Sequence, residues 1–338
     1  MKKLQVNIQT FTQQGLQIPN RESQLNLKTI MKKICICLIA LSTLGCQELT
    51  DIVPPSGTVD TPITPPVTPV PKPDTTAVVV SDYRSELNVA YGSDQLQKLD
   101  VYLPNLSSGK QASVSIIMIH GGGWKEGDKS FITSLAEKLK AQKKNIAIFN
   151  INHRLTFMQG VKLNEQLADI GSVINFINSN KAKYNLSGDI VLFGHSAGGH
   201  LALTYAYKNT SNPNIKAVVG LAAPTDLTQA DIQKSIVDKN GQNLTELLVG
   251  VPYSQNPDAY VQSSPFHIVP KNAQPTLLLY GDADQIVNFS QGEKLFEKLK
   301  TLNVKTAFKK YSQGTHDLNN MNDIFEQTTA FMKGNGVD

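Results

Sequence analysis

Cysteine is all but missing from this chain. Of its 338 residues only Cys35, Cys37 and Cys46 are cysteine, and all three lie near the N-terminus. The residues beyond them therefore hold no disulfide framework, no cysteine-ligated zinc and no thiol nucleophile. Long apolar runs are missing too. None reaches the roughly eighteen residues that a membrane-spanning helix needs, which excludes a polytopic membrane protein. Charged residues make up only 18%, and no basic run occurs in the body of the chain. The net charge of +4 is concentrated at one end. Up to residue 46, Lys2, Lys3, Arg21, Lys28, Lys32 and Lys33 face Glu22 alone, so the remainder sums to −1. Such a body has no electrostatic footprint for nucleic acid, and the expected partner is a small or neutral molecule. What is present is ordinary hydrophobic mass, 40% of the residues, which excludes wholesale disorder. The length allows one large or two small domains.

The N-terminus reads as an address. From Met31, Lys32 and Lys33 form a positive segment, Ile34–Leu44 an apolar one of eleven residues, and Gly45-Cys46 follows at the cleavage position. This resembles a bacterial lipoprotein signal, which implies lipidation of Cys46, an exported chain and membrane attachment through a lipid anchor only. An ordinary secretory signal or an N-terminal anchor are the alternatives. Residues 1–30 have no apolar run and are expected to be an unstructured upstream extension, with translation starting at Met31. A peptide from 1–30 found in the native host would contradict that. Residues 47–76 form a linker. Between Pro54 and Pro73 eight of twenty residues are proline, which favours an extended spacer about 60 Å long, at roughly 3.1 Å per residue.

From residue 77 the pattern changes. Short apolar runs read as buried strands at 114–119, 146–151, 190–193, 217–221 and 276–280. Amphipathic stretches at 131–142, 163–178, 198–207, 291–302 and 324–332 read as helices. The alternation predicts a single α/β domain over 77–338, with a mostly parallel sheet covered on both faces. Two more polar strands, at 87–91 and 98–103, are expected as an antiparallel edge. Residues 226–265 break the alternation and are expected over the carboxyl ends of the strands, where ligands bind in such sheets.

Four motifs carry chemistry. A strand runs into Gly194-His195-Ser196-Ala197-Gly198 and then into a helix, the context that a nucleophile elbow requires. Ser196 is the candidate nucleophile. His120-Gly121-Gly122-Gly123-Trp124 follows another buried strand. Glycines let backbone N–H groups approach a developing oxyanion, each contributing about 3–4 kcal/mol to lowering the barrier. The N–H groups of Gly122, Gly123 and Ala197 are the candidates. A phosphate loop would need a Lys-Ser/Thr ending, which Trp124-Lys125-Glu126 does not supply.

The third motif, Gly281-Asp282-Ala283-Asp284, puts two carboxylates in a turn after a strand. Asp284 is favoured as the acid that orients an imidazole, with Asp282 and then Asp226 behind it. The fourth is Gly314-Thr315-His316-Asp317. Of six histidines, only His316 lies in a loop after the acid, which makes it the general base. His120 and His200 read as supports of the oxyanion loop and the elbow helix, His267 as structural, and His195 as pointing away from the nucleophile. Trp124, His153 and Tyr253 are candidates for the substrate pocket. Ser196, Asp284 and His316 then follow the Ser…Asp…His order. The serine mechanism needs no metal and no cofactor.

At these residues the sequence resembles the α/β-hydrolase superfamily. Within it, the chain is similar to bacterial bifunctional feruloyl/acetyl-xylan esterases and to hormone-sensitive-lipase-like esterases. The resemblance runs from about Leu87 to the C-terminus. It is carried by Tyr91-Gly92-Ser93-Asp94, Leu99-Asp100-Val101-Tyr102-Leu103-Pro104, His120–Trp124 with Gly127-Asp128, Asn152-His153-Arg154-Leu155, Ala168-Asp169-Ile170 and Gly194–Leu201. His153 departs from the group, which usually has Tyr before Arg-Leu. The resemblance implies an α/β-hydrolase fold in a single catalytic domain. It also implies hydrolysis of carboxylic esters, often acetyl or feruloyl groups on plant polysaccharide. An amide-directed hydrolase of the formamidase or exopeptidase kind is the alternative. A non-catalytic surface binding protein on the same fold is another.

Overall fold

Runs such as Val114–Ile119 and Ile146–Ile151 carry apolar residues toward both faces, and a central parallel strand is where both faces are buried. The computed structural model describes residues 80–142, 144–317 and 321–337. The expectations for residues 1–30, 31–46 and 47–76, Cys46 included, lie outside the described residues.

Eight strands form one sheet: β1 (Val80–Ala90), β2 (Lys98–Leu106), β3 (Val114–Ile119), β4 (Ile146–Ile151), β5 (Ile190–His195), β6 (Ile215–Leu221), β7 (Thr276–Gly281) and β8 (Thr306–Tyr311). Their spatial order is β1-β2-β4-β3-β5-β6-β7-β8. β1 pairs antiparallel with β2, and β2 with β4; all other neighbours are parallel. This is the α/β-hydrolase architecture. The first helices are α1 (Thr133–Ala141, after a 3-10 turn at Lys129–Ile132), α2 (Leu163–Ser179), the short α3 (Lys181–Tyr184) and α4 (Ala197–Lys208). Between β6 and β7 lie four short ones, α5 (Ala230–Ser235), α6 (Leu244–Val249), α7 (Pro257–Gln262) and α8 (Pro265–Ile268). Helices α9 (Ser290–Thr301) and α10 (Met321–Gly334) follow.

The period of two along the strands sorts the core into two layers. Ile117, Ile119, Phe149 and Leu192 face α2, α4 and α9, through Ile170, Val173, Leu201 and Leu295 among others. Ile116, Met118, Ile148 and Phe193 face α1 and α10, through Leu135, Leu139, Ile324 and Phe325. No described helix is long and apolar enough to cross a membrane.

Two strands differ from the sequence reading for one physical reason. β8 (TAFKKY) was not expected, and β1 begins seven residues before the expected Leu87. Both are edges: β1 is exposed along much of its length, and β8 is half-buried along most of its own. β1 also carries register shifts at Val80/Tyr83 and Glu86/Val89, which scramble its alternation. Lys309 and Lys310 on β8 are the kind of charge that protects a sheet edge from pairing. Neither strand therefore shows an apolar run.

Candidate active site

The site forms where β3, β5 and β7 end, at the carboxyl edge of the parallel sheet. β5 stops at His195, and Ser196 adopts φ 53°, ψ −121° before α4 begins. A left-handed serine at this point is the strained turn that raises its hydroxyl out of the sheet. Its N–H donates to Leu221 C=O at 2.8 Å, which ties the elbow to β6. The flanking glycines answer to crowding. A Cβ on Gly194 would lie 2.1 Å from Gly198 O, and one on Gly198 would lie 2.2 Å from Ile119 O. Any side chain there would push the elbow off the end of β3.

Ser196 Oγ–H donates to His316 Nε2 at 2.8 Å, and His316 Nδ1–H donates to Asp284 Oδ2 at 2.8 Å. Asp284 Oδ1 accepts the N–H groups of Ile286 and Val287 at 2.8 and 2.9 Å. Burial alone drives the Asp284 pKa up. Contact with His316 and these two N–H groups outweighs it and holds the carboxyl below its usual value. Asp282 faces solvent and accepts Gln313 N–H at 2.6 Å, so it braces the loop that carries His316 without touching the imidazole. Asp226 pairs elsewhere, with His267 at 3.1 Å and with Thr228. Of the three carboxylates considered, only Asp284 is brought to His316.

Gly122, Gly123 and Ala197 line the same cleft as Ser196. Gly122 and Gly123 have φ of 115° and 57°, and Trp124 has 60°. Gly122 C=O takes the N–H groups of Lys125 and Glu126, which closes a tight loop. The N–H groups of Gly122, Gly123 and Ala197 have no hydrogen-bond partner among the described residues. Gly121 sits so close to the elbow that its Cβ would lie 3.0 Å from Ser196 Cβ.

Three histidines pack around the site, and of these only His195 lines the cleft. His200 donates from Nε2 to Ser263 C=O at 2.7 Å and accepts Trp124 Nε1–H on Nδ1 at 3.2 Å. Burial pushes its pKa down to about 4. His120 donates from Nδ1 to Gly121 C=O at 2.6 Å and stacks on His153, ring centroids 4.5 Å apart. Burial and His153 push the His120 pKa down to about 3. His195 does not simply point away: its Nε2–H donates to His316 C=O at 3.0 Å.

Of the three pocket candidates, the cleft takes in Trp124 and leaves out His153 and Tyr253. Trp124 borders the cleft as expected, although it is only 1% exposed and packs in the core. His153 is buried behind His120 and does not line the cleft, because its ring fills the space under the loop. Tyr253 packs edge-to-face on Tyr260 at 5.1 Å and lies away from the cleft. The apolar walls of the cleft, about 720 Å³, are Phe131, Pro224, Ile236, Val237, Leu244 and Ile286. Phe131 is 65% exposed, and Ile286 follows the acid by two residues. A sequence gives an exposed apolar residue no mark that separates it from a core one. Lys125 reaches across the rim to Asp238 at 2.6 Å and Gln242 at 3.0 Å, clasping the oxyanion loop to the segment between β6 and β7. Among the described residues, no cluster of three His, Cys, Asp or Glu side chains is placed to hold a metal.

The BD-FAE family model matches residues 99–299. Esterase LipC of Mycobacterium tuberculosis is 26% identical over 236 residues, 65% of this chain and 56% of that protein. A kynurenine formamidase of Meyerozyma guilliermondii is 35% identical over 133 residues, 39% of this chain and 46% of that protein. The chain thus spans about half the length of these relatives. Among solved structures, a truncated carbohydrate esterase from gut microbiota superposes with a TM-score of 0.62 at 24% identity, covering 75% of this chain and 97% of the other.

Proposed function

The chain belongs to the BD-FAE family of α/β-hydrolase esterases, and from that premise we propose that it is a serine carboxylic-ester hydrolase that removes acetyl or feruloyl-type acyl groups from carbohydrate. The observation that carries the reading is the unbroken relay from Ser196 Oγ through His316 to Asp284, both links at 2.8 Å.

Ser196 Oγ attacks the ester carbonyl as His316 Nε2 takes its proton. Asp284 keeps the proton of His316 on Nδ1 and stabilises the imidazolium that forms. The tetrahedral oxyanion rests against the N–H groups of Gly122, Gly123 and Ala197. The carbon–oxygen bond to the alcohol breaks, and the alcohol leaves with the proton from His316. Water then attacks the acyl-serine, giving its proton to His316, and Ser196 recovers its hydrogen as the acid departs. Partly apolar walls and an open mouth suit an acyl group borne on a sugar chain, in keeping with the carbohydrate esterase among the structural relatives.

Acetate release from acetylated xylan, ferulate release from arabinoxylan and turnover of p-nitrophenyl acetate test this together. Release that vanishes in Ser196→Ala is expected. Release that persists in that variant contradicts the reading. The formamidase relative supports a second reading, hydrolysis of N-formyl anilides. Faster turnover of an N-formyl anilide than of any acetyl ester would favour it.

The place of action is also a proposal. Lys32, Lys33, the apolar 34–44 segment and Cys46 support export and lipid anchoring, and the proline-rich 54–73 stretch supports a spacer. Radiolabelled palmitate should enter the wild-type chain and not Cys46→Ser; equal labelling of both contradicts it.

A further inference from the structure

We propose that His195 is a positioning residue that holds the His316 loop against the elbow while Ser196 carries the acyl group and cannot do so itself. This rests on the Ser196 mechanism above.

The base loop is anchored chiefly on the acid's side. Ala283 N–H donates to Gly314 C=O at 2.9 Å, Gly314 N–H to Tyr311 C=O at 3.1 Å, and Gln313 N–H to Asp282 Oδ1 at 2.6 Å. Gly281 lies so close that its Cβ would sit 2.1 Å from Gly314 O. On the nucleophile's side, two hydrogen bonds join elbow to loop among the described residues. One is Ser196 Oγ–H to His316 Nε2, and the other is His195 Nε2–H to His316 C=O.

Catalysis removes the first of these. On acylation the Oγ–H bond breaks, its proton passes through His316 to the departing alcohol, and Oγ becomes an ester oxygen with no hydrogen to give. His316 must then take a proton from water without its bond from Ser196. The bond from His195 goes to a backbone carbonyl, outside the proton relay, so it survives the step. The His195 ring is also wedged in place. It lies 5.1 Å from the His316 ring, and a Cβ on Gly121 would be 3.2 Å from its Nδ1. Burial and the neighbouring His316 hold its pKa below the ordinary histidine value. Asp284 and Asp317 are the carboxylates that act on it in the opposite sense.

p-Nitrophenyl N-methylcarbamate separates the two half-reactions. Nitrophenol release reads transfer to serine, and the slow return of esterase activity reads hydrolysis of the carbamoyl-serine alone. His195→Phe keeps a ring without the donor, and His195→Gln restores an N–H of similar reach. Rates are taken per fluorophosphonate-titrated site, and His195→Leu serves as the donorless variant should the Phe variant fail to fold. In the donorless variant, carbamoylation should stay within about twofold of wild type while return of activity slows about tenfold, the effect of one lost hydrogen bond. The Gln variant should recover most of that loss. Equal slowing of both steps, no slowing, or a Gln variant as slow as Phe overturns the role of His195. A wild-type chain that accepts no carbamoyl group on Ser196 overturns the underlying mechanism instead.

Discussion

His200 is locked neutral by its partners. It receives an N–H from Trp124 on Nδ1 and spends its own Nε2–H on Ser263, so a second proton would set N–H against N–H. Its pKa falls to about 4, whereas an unfolded histidine titrates near 6.5. The unfolded chain therefore binds this proton first as pH drops. The stability that His200 contributes is whole above about pH 6.5 and drains between there and pH 4, by about 1.4 kcal/mol per pH unit. In urea unfolding, the margin of wild type over His200→Gln should shrink by about 2 kcal/mol from pH 7 to pH 5. A constant margin would show that His200 takes up its proton as readily in the native state as in the unfolded chain. The two carboxylates of the acid turn offer a sharper contrast. Asp284→Asn should lower kcat by roughly 10³–10⁴-fold, because it no longer fixes the imidazole tautomer. Asp282→Asn, whose amide oxygen can still accept Gln313 N–H, should stay within about tenfold. Comparable losses in both would move the acid's role away from Asp284. At this scale the sequence offered Ser196 and His316 through motif and chain order. It favoured Asp284 over Asp282 on chain position alone, since two residues apart in a turn can face opposite ways and only coordinates say which.

At the scale of elements, the legible parts were those with a period. β3, β4, β5, β6 and β7 were read from apolar runs, and α2, α4 and α9 within a residue or two at each end. The segment between β6 and β7 was read only as a break in the alternation. Its four helices are four to six residues long, too short to show a helical stripe, and they rest on caps such as Asn243 and Asn256. This segment supplies Ile236, Val237 and Leu244 to the cleft and Asp238 to the Lys125 clasp. Lys125 holds the Asp238 pKa down to about 2, so the clasp keeps its charge until pH falls through that value. Lys125→Ala should raise KM for a bulky aryl ester about two- to fivefold, the range an exposed ion pair commands, with kcat and Tm nearly unchanged. Steady-state kinetics on a short and a bulky ester check this. An equal change on both would detach the clasp from the rim of the cleft.

At the scale of the whole molecule, one polar tie joins a covering helix to the sheet. Asp169, fully buried on α2, binds Arg154 after β4 at 2.6 Å and Gln97 before β2 at 2.7 Å. Asp169→Ala would strand the Arg154 guanidinium and should cost about 3–5 kcal/mol, read as a lower urea midpoint with turnover kept below it. A midpoint unmoved by the change would mean that the tie holds nothing. Asp169 was visible in the sequence only as part of a family resemblance, because nothing in its neighbours marks a buried carboxylate. The chemistry of the whole molecule turns on one oxygen atom, Ser196 Oγ. The most direct test is intact-protein and peptide mass spectrometry after titration with a fluorophosphonate, with esterase activity followed in parallel. One adduct per chain is predicted, on Ser196, with activity falling in step and Ser196→Ala left unlabelled. An adduct on another residue, or full activity in a chain labelled at Ser196, would contradict the account.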